Sequence, residues 1–293
     1  MKRAVPILIA LLLALSALAC TISVPALPSI DVPRLQVGEM QEYTHQVPRA
    51  GVTEAEVDVV MGAGEITVAA GDSANFFSGV FRTNIAEWAP EVSWDGSELS
   101  VTQAGAEGMP DAGAENHWTL AFAPDVPMEM TMRIGAGDGD LDFSGLSLSE
   151  LLVETGAADL EVGFDEPNPV RMTDLTVRTG ASNLRVEGIG NAGPDSVTVE
   201  AGAGNLVLNF VGAWPQSARV HVTIGTGAVT LRFPQEVGVR VQMEGGMGNV
   251  RAGSGFRESD GAYVNDTYDT ASIQLDVTVE VGVGTVSIEQ IGE

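Results

Sequence analysis

Hydrophobic and polar residues alternate along most of the chain after residue 50, and the alternation repeats about every 22 residues. We take the first glycine of each Gly-x-Gly, Gly-x-Ala or Gly-x-Ser triplet as position zero. Apolar residues then stand at −5 and −3 in all copies, and they return at +4 and +6 in all but one. The eight anchor glycines are Gly62, Gly135, Gly156, Gly180, Gly202, Gly225, Gly246 and Gly282. Period-two alternation is typical of strands with one buried face, so each copy predicts two short strands joined by a glycine turn, in which glycine is expected to adopt backbone angles forbidden to other residues.

A single copy cannot bury its own apolar face, whereas stacked copies share one continuous core. The pattern therefore predicts an all-β fold, a single-chain β-solenoid of about eight glycine-turn repeats with an irregular β cap or insertion. In the copy that begins at Gly135, the second apolar pair is expected to be displaced by two residues, to Leu141 and Phe143. The outward −2 positions alternate in charge, which favours in-register stacking of opposite charges on neighbouring rungs.

The repeat is lost between residues 69 and 130. This stretch reads as separate strands, with a hairpin predicted at Asp95-Gly96. We expect it to cover one end or flank of the solenoid and so to hide a sheet edge. The solenoid domain as a whole is predicted to span residues 51–293.

The first residues have the pattern of an export signal. A basic tip precedes an apolar run at 5–19 that is too short to be a spanning helix. Cys20 is the single cysteine of the chain and follows this run directly. The segment resembles a bacterial lipoprotein signal, in which the cysteine is lipidated after cleavage. We therefore predict a removed signal peptide at 1–19 and a lipid-anchored, proline-rich tether at 20–50, with unanchored secretion as the alternative.

The charge balance narrows the choice of partners. The chain has 40 acidic residues against 14 lysines and arginines, a formal net charge of −26. Such a surface repels nucleic acid and anionic lipid headgroups, so neither is expected to bind it.

Two stretches raise the question of ligand chemistry. The sequence GIGNAG, with Gly188, Gly190 and Gly193, has the spacing of a dinucleotide-binding turn, but Pro-Asp and another strand follow where that site needs a helix. It is therefore read as the return loop between two rungs. In GDGDLDF, a run of three aspartates falls on one face of a strand and makes a weak calcium candidate, the other reading being a solvated acidic face. These aspartates are Asp138, Asp140 and Asp142.

The stretch HWTLAFAPDVPMEMTMRIGAGDGDLDFSGLSLSELLVETGAADLEV and the C-terminal GAYVNDTYDTASIQLDVTVEVGVGTVSIEQIG resemble the bacterial toast-rack family. That family is similar to the β-solenoids named putative adhesins and to the C-terminal domains of cell-wall-antibiotic-response membrane proteins. The resemblance covers roughly residues 37–293. It implies an extracytoplasmic domain of the cell envelope and supplies no catalytic residues.

The sequence thus leads us to expect a non-catalytic envelope lipoprotein that acts as an adhesion, scaffold or interaction module. The alternative is an envelope-stress accessory protein that binds a cell-wall component or a sensor protein, and a polysaccharide-active enzyme is less favoured. No catalytic residue and no cofactor other than the calcium candidate is predicted. The expected partners are a membrane, through the lipid anchor, and an envelope protein or glycan. The rung that ends near Ile288 has little sequence left to cover it, so self-association through that end is a further expectation.

Overall fold

A computed structural model describes residues 34–105 and 108–292. The chain divides into two units, residues 1–34 with 107–109, and residues 35–106 with 110–293. The structure describes only Arg34, Gly108 and Met109 of the smaller unit. The larger unit carries the sheet and the core.

The described chain is almost entirely β-structure, with a one-turn helix α1 (Ile189–Ala192) and a 3-10 turn at Ala86–Trp88. The strands are β1 (Arg34–Leu35), β2 (Gln41–Pro48), β3 (Ala55–Ala70), β4 (Asn75–Thr83), β5 (Pro90–Trp94), β6 (Glu98–Gln103), β7 (Met109–Pro110), β8 (Asn116–Phe122), β9 (Met128–Asp142), β10 (Leu148–Gly163), β11 (Met172–Glu187), β12 (Pro194–Asn209), β13 (Ala218–Pro234), β14 (Gly238–Glu244), β15 (Met247–Ala252), β16 (Phe256–Ser259), β17 (Ala262–Asn265) and β18 (Gln274–Ile291).

The repeat forms a stack of parallel rungs, as the sequence predicts for a β-solenoid. Strands β3, β9, β10, β11, β12, β13 and β18 and the β14–β15 pair run side by side in one sheet, each in parallel register with its neighbours. Equivalent positions of the repeat meet across the rungs, as Leu151 meets Leu175 and Leu160 meets Leu184. These inward residues form one apolar core, in which the +8 phenylalanines stack, Phe210 on Phe233 at 4.7 Å between ring centroids.

Each inner rung is one continuous strand of 15 to 18 residues, and the prediction of two short strands per copy is wrong. In β10 the buried positions change phase at Gly156 and Ala157, which are both exposed. The two halves nevertheless bury their side chains in the same core. The strand therefore bends at the glycine while its hydrogen-bonded ladder continues.

The last two copies of the repeat stack in the reverse of their chain order. Strand β18 lies between β13 and the β14–β15 rung, so the chain first builds the outer rung and then returns to fill the gap. Ile288 is consequently 0% exposed. The expectation that the rung ending near Ile288 has an uncovered edge is therefore wrong, because both of its edges are paired.

Leu141 and Phe143 are both buried, as predicted for the second apolar pair of this rung, but the strand register is not displaced. Leu141 pairs with Val68 and Val162 at the ordinary +6 position, and the +4 position of this rung is Gly139. A Cβ on Gly139 would lie 2.5 Å from Leu160 Cδ2. The neighbouring leucine therefore fills the space that the missing side chain leaves, and the register is kept.

Strands β6 and β8 lie along the outer edge of β3, the first rung. Strand β6 pairs in parallel with its first half and β8 with its second half, while β4 and β2 extend the sheet beyond β8. The predicted hairpin at Asp95-Gly96 joins the antiparallel strands β5 and β6. At the bend, the Gln103 Oε1 atom accepts the backbone N–H of Gly62 at 2.9 Å, and Asn116 Nδ2 donates to the Ala63 carbonyl at 2.7 Å. Side-chain amides thus replace the missing backbone partner where β6 and β8 leave a gap.

The tether predicted for residues 20–50 lies partly outside the described residues, and its last part belongs to the fold. Residues 41–48 form β2, which pairs antiparallel with β4. Tyr43, His45 and Val47 face inward in alternation, and the His45 ring packs edge-on to Phe81 with centroids 5.9 Å apart. Tyrosine and histidine occur both inside and outside proteins, so the sequence alone does not distinguish this strand from a tether.

Candidate functional site

The anchor glycines form a continuous line along the bends of the rungs, which we call the glycine line. Residues of adjacent rungs approach closely there. A Cβ on Gly135 would lie 2.2 Å from the carbonyl oxygen of Gly62, and the same contact recurs at 2.4 Å between Gly180 and Gly156. Equivalent contacts of 2.6 Å or less to the preceding rung occur at Gly156, Gly202, Gly225 and Gly282. Glycine is therefore required by the close approach of backbone to backbone.

This reason differs from the one expected, which was backbone angles forbidden to other residues. Seven of the anchors have ordinary φ, and only Gly246 is left-handed, at 66°. Positive φ occurs instead at position +2, as in Gly137 at 135° and Gly204 at 138°. In the Gly246 rung, Gly245 is also left-handed, at 72°, and the strand is interrupted into β14 and β15.

On the N-terminal side of the glycine line, a charged ladder crosses five rungs. It consists of Asp58, Arg133, Glu154, Arg178 and Glu200. Arg133 Nη1 lies 2.6 Å from Asp58 Oδ1, and Arg133 Nε lies 3.2 Å from Glu154 Oε2. Arg178 bridges Glu154 at 3.3 Å and Glu200 at 3.0 Å. The alternation predicted at −2 is therefore confirmed from Arg133 to Glu200, and each arginine is shared by carboxylates of both neighbouring rungs, with Asp58 contributing from position −4. It does not continue to the last rungs, where Glu244 and Glu280 are register partners.

The ladder sets the electrostatics of this side. Arg178 donates hydrogen bonds to Glu200 and Glu154. These bonds, chiefly the one to Glu200, raise the pKa of the Arg178 guanidinium above the ordinary arginine value. The ladder walls an open groove of about 680 Å³ that runs along the glycine line. Because its charges are paired with one another, this groove presents little net charge to a ligand.

Two threonine hydroxyls lie beneath that groove. Thr155 and Thr179 are paired in register on neighbouring rungs and are 8% and 7% exposed. Their hydroxyl oxygens are closed off from solvent and have no hydrogen-bond partner among the described residues. Both residues belong to the lining of the groove, so these two hydroxyls, which no described residue partners, lie directly under it.

On the C-terminal side of the glycine line, carboxylates stack on carboxylates. Glu65, Asp138 and Asp159 are in register on β3, β9 and β10, and Asp140 pairs with Glu161. We call these five residues the acidic band. Glu65 Oε2 contacts His117 Nδ1 at 3.0 Å, and Asp159 Oδ1 accepts from Asn183 Nδ2 at 2.8 Å. Like charges directly opposite on neighbouring strands destabilise a sheet, so the acidic band is kept at some expense in stability.

The acidic band lines a second groove of about 530 Å³. Its floor includes Ile66, Leu160 and Gly139, and its far end is formed by Asn183 and Asn205, whose side chains are hydrogen-bonded at 2.9 Å. The two sides of the glycine line therefore differ in charge although they are built from the same rungs.

The calcium candidate falls within and beside this band. Asp138, Asp140 and Asp142 are exposed on one face of β9, as predicted. Alternate residues of a strand are about 6.6 Å apart, which is too far for them to share one ion. Within the described part of the chain, no group of three His, Cys, Asp or Glu side chains could hold a metal ion. Asp142 Oδ1 instead accepts the backbone N–H of Ser144 at 2.9 Å.

The GIGNAG stretch is a return loop, and β12 follows it directly, as expected. Helix α1 has only four residues and lies between Gly188 and Gly193, both left-handed, at 71° and 59°. A Cβ on Gly190 would lie 2.7 Å from Trp214 Nε1. The glycines serve close packing of the loop, and a helix this short provides no dinucleotide site.

The predicted lipidation residue, Cys20, and the signal peptide at 1–19 lie outside the described residues. In residues 34–105 and 108–292, no helix is long and apolar enough to cross a membrane.

Bent parallel rungs stacked around an aliphatic core define the chain as a β-solenoid with grooves on either side of its glycine line. A family model described as the N-terminal domain of toast_rack (DUF2154) matches residues 36–187. The chain therefore belongs to the toast-rack family. A comparison with curated proteins gives no match.

Solved structures similar to this chain were also found, and the first of them has a similar fold. A putative cell adhesion protein from Clostridium sporogenes ATCC 15579 has a TM-score of 0.50 and 20% identity, over 86% of this chain and 100% of that one. A putative adhesin from Bacteroides fragilis NCTC 9343 has a TM-score of 0.35 and 10% identity, over 87% and 99% of the two chains. A putative lipid binding protein from Parabacteroides distasonis ATCC 8503 has a TM-score of 0.31 and 7% identity, over 88% and 100%. At these identities the likeness concerns the fold alone.

Proposed function

We propose that the protein is a non-catalytic binding module of the cell envelope, anchored outside the cytoplasm through Cys20, and that it serves in adhesion or as a scaffold. The observation that carries this proposal is the pair of preformed grooves along the glycine line. The description of the Clostridium sporogenes structure as a putative cell adhesion protein agrees with it.

The grooves have the geometry of a site for an extended chain. Residues from six rungs line the first groove and residues from five rungs line the second. With rungs about 4.8 Å apart, the grooves extend about 24 Å and about 19 Å across the strands. A length of this kind suits several units of a peptide or glycan, and the parallel ladder holds the lining residues in place before binding.

The charge of the second groove selects among such chains. The acidic band would favour a neutral or cationic partner and would repel a polyanion. We therefore place the partner among envelope proteins and uncharged or amine-bearing glycans.

Binding of the purified chain to isolated envelopes of its own host tests the proposal. The variant Asp138→Arg with Glu161→Arg reverses charge inside the second groove, and we expect it to lose binding. The matched control is Glu150→Arg with Asp174→Arg, which makes the same charge change at exposed positions of the same sheet and should bind as the original does. Equal binding of both variants would contradict a role for this groove.

Two further readouts address the anchor and the class of function. The Cys20→Ser chain should leave the membrane fraction, whereas the original chain should stay in it. Deletion of the gene that encodes the chain should weaken the attachment of the host cells or disturb the architecture of their envelope. If deletion changes only a stress response, or if the purified domain turns over a polysaccharide, the proposed function is wrong.

A further inference from the structure

The two ends of the stack of rungs are covered differently. At the first end, β6 and β8 together pair with both halves of β3. At the other end, β17 pairs with β14, and β16 extends that sheet, but β15 pairs only with β18 among the described residues. Alternate residues of a parallel strand direct their peptide groups to opposite neighbours. Half of the peptide groups of β15 therefore face an edge where the described residues place no strand.

The side chains at this edge are also incompletely covered. Val250 and Ala252 occupy the +4 and +6 positions, in register with Val286 and Ile288 of β18. The two residues of β18 are 0% exposed, whereas Val250 is half-buried and Ala252 is exposed. Val283, at the bend of β18, is 52% exposed. One more strand beside β15 would complete the burial that every inner rung has.

The charge at this end of the stack indicates which molecule would supply the strand that pairs with β15. The chain as a whole has a net charge of −26, so most pairs of surfaces from two copies repel each other. The edge strand β15 carries one charged residue, Arg251, whereas the loop beside it is acidic, with Asp266 and Asp269 about 4 Å from Arg257. A second copy therefore meets the least repulsion at this end when it presents β15 itself.

We propose that β15 pairs antiparallel with β15 of a second copy across a two-fold axis centred on Val250. This register places Val250 opposite Val250 and Ala252 opposite Gly248 on the core side of the joined sheet. On the outer side it places Arg251 opposite Asn249, so no like charges meet. Because β15 pairs with the same strand of the other copy, the contact is isologous, and it gives a closed dimer and not a filament.

The solution mass tests the proposal. The full chain carrying Cys20→Ser should show a monomer–dimer equilibrium by light scattering across micromolar concentrations. Ala252→Lys should raise the dissociation constant about tenfold or more, because its ammonium group would lose water against Gly248 of the partner. Since Ala252 is exposed, the variant should fold normally. Ala157→Lys, at an exposed alanine of an inner rung, should leave the equilibrium unchanged.

Cross-linking tests the register independently. In the Cys20→Ser background an introduced cysteine is the only thiol, since Cys20 is the only cysteine of the chain. Val250→Cys should form a covalent dimer on oxidation, because directly opposed antiparallel residues lie within disulfide reach. Thr44→Cys, exposed on the edge strand β2, is the control and should not.

Three results would overturn the proposal. One is a monomer at every concentration, which is also the result if residues before 34 of the same chain occupy this edge. The others are a dimer that Ala252→Lys leaves intact, and cross-linking of Thr44→Cys as efficient as that of Val250→Cys. None of these results bears on envelope binding through the grooves, so this proposal and the proposed function can fail separately.

Discussion

Replacing one anchor glycine by alanine tests the explanation of the glycine line. In Gly180→Ala, the new methyl group would lie 2.4 Å from the carbonyl oxygen of Gly156, about 1 Å closer than an ordinary contact. Both atoms belong to backbones held by the parallel ladder, so relief requires the two rungs to separate at the bend. Overpacking of this kind typically costs 1–3 kcal/mol, and we expect about 3 kcal/mol here because no flexible side chain can move aside.

Gly62→Ala is the matched control. Gly62 occupies the same position of the repeat and is also exposed, but the nearest atom to its Cβ would be Gln103 Nε2, at 3.5 Å. Its φ is ordinary, so alanine should be neutral or stabilising by up to about 1 kcal/mol through the unfolded chain. Chemical denaturation of both variants measures the difference in unfolding free energy. Equal effects at the two positions would refute the close-approach explanation.

Three further predictions concern the acidic band and the core beneath it. Leu160→Ala should lower the free energy of unfolding by about 3 kcal/mol. Gly139→Ala should destabilise the original chain but stabilise the Leu160→Ala variant, because the new methyl group then fills the vacated space. If chemical denaturation shows that the two effects are additive, Leu160 does not fill the space at Gly139. Asp138→Asn should stabilise the fold by about 0.5 kcal/mol at low salt and less in 0.5 M NaCl, by thermal unfolding, since Asp138 lies between Glu65 and Asp159; no gain at low salt would contradict the repulsion. Ca²⁺ should raise the melting temperature no more than Mg²⁺ at equal ionic strength; a rise specific to Ca²⁺ would contradict a diffuse acidic surface.

The sequence was sufficient to predict the rungs and their register, because the apolar −5, −3, +4 and +6 positions have to be buried together. Opposite charges at −2 followed from the same register and do form the charged ladder. The acidic band is also a consequence of this register. Its members come from three rungs, however, and the spacing along one strand indicates only the aspartates of β9. The predicted alternation did not identify Glu65 as a neighbour of Asp138.

The order of the last two rungs could not be predicted from periodicity, because β18 and the β14–β15 rung match the same pattern. Their side chains nevertheless differ in a physically meaningful way. The β14–β15 rung has alanine at +6, Ala252, and two left-handed glycines at its bend, which suits a rung whose second half, β15, has a neighbour on one side only among the described residues. Strand β18 has a full set of large aliphatic residues, as required of a rung that packs on both sides. The register at Gly139 could not be predicted from the repeat for a related reason. Leu160 of the neighbouring rung fills the space of the apolar residue that the +4 position lacks.

The rung order determines which residues share a face, which groove they line and which edge is open, so the account depends on it most directly. Paired cysteines can test it in the Cys20→Ser chain. Thr230 and Ser287 are register partners on β13 and β18, whereas Thr230 and Arg251 are separated by one intervening rung, about 9.6 Å. The account predicts an intramolecular disulfide for Thr230→Cys with Ser287→Cys and none for Thr230→Cys with Arg251→Cys. The opposite result would show that the rungs stack in chain order, and it would contradict the account.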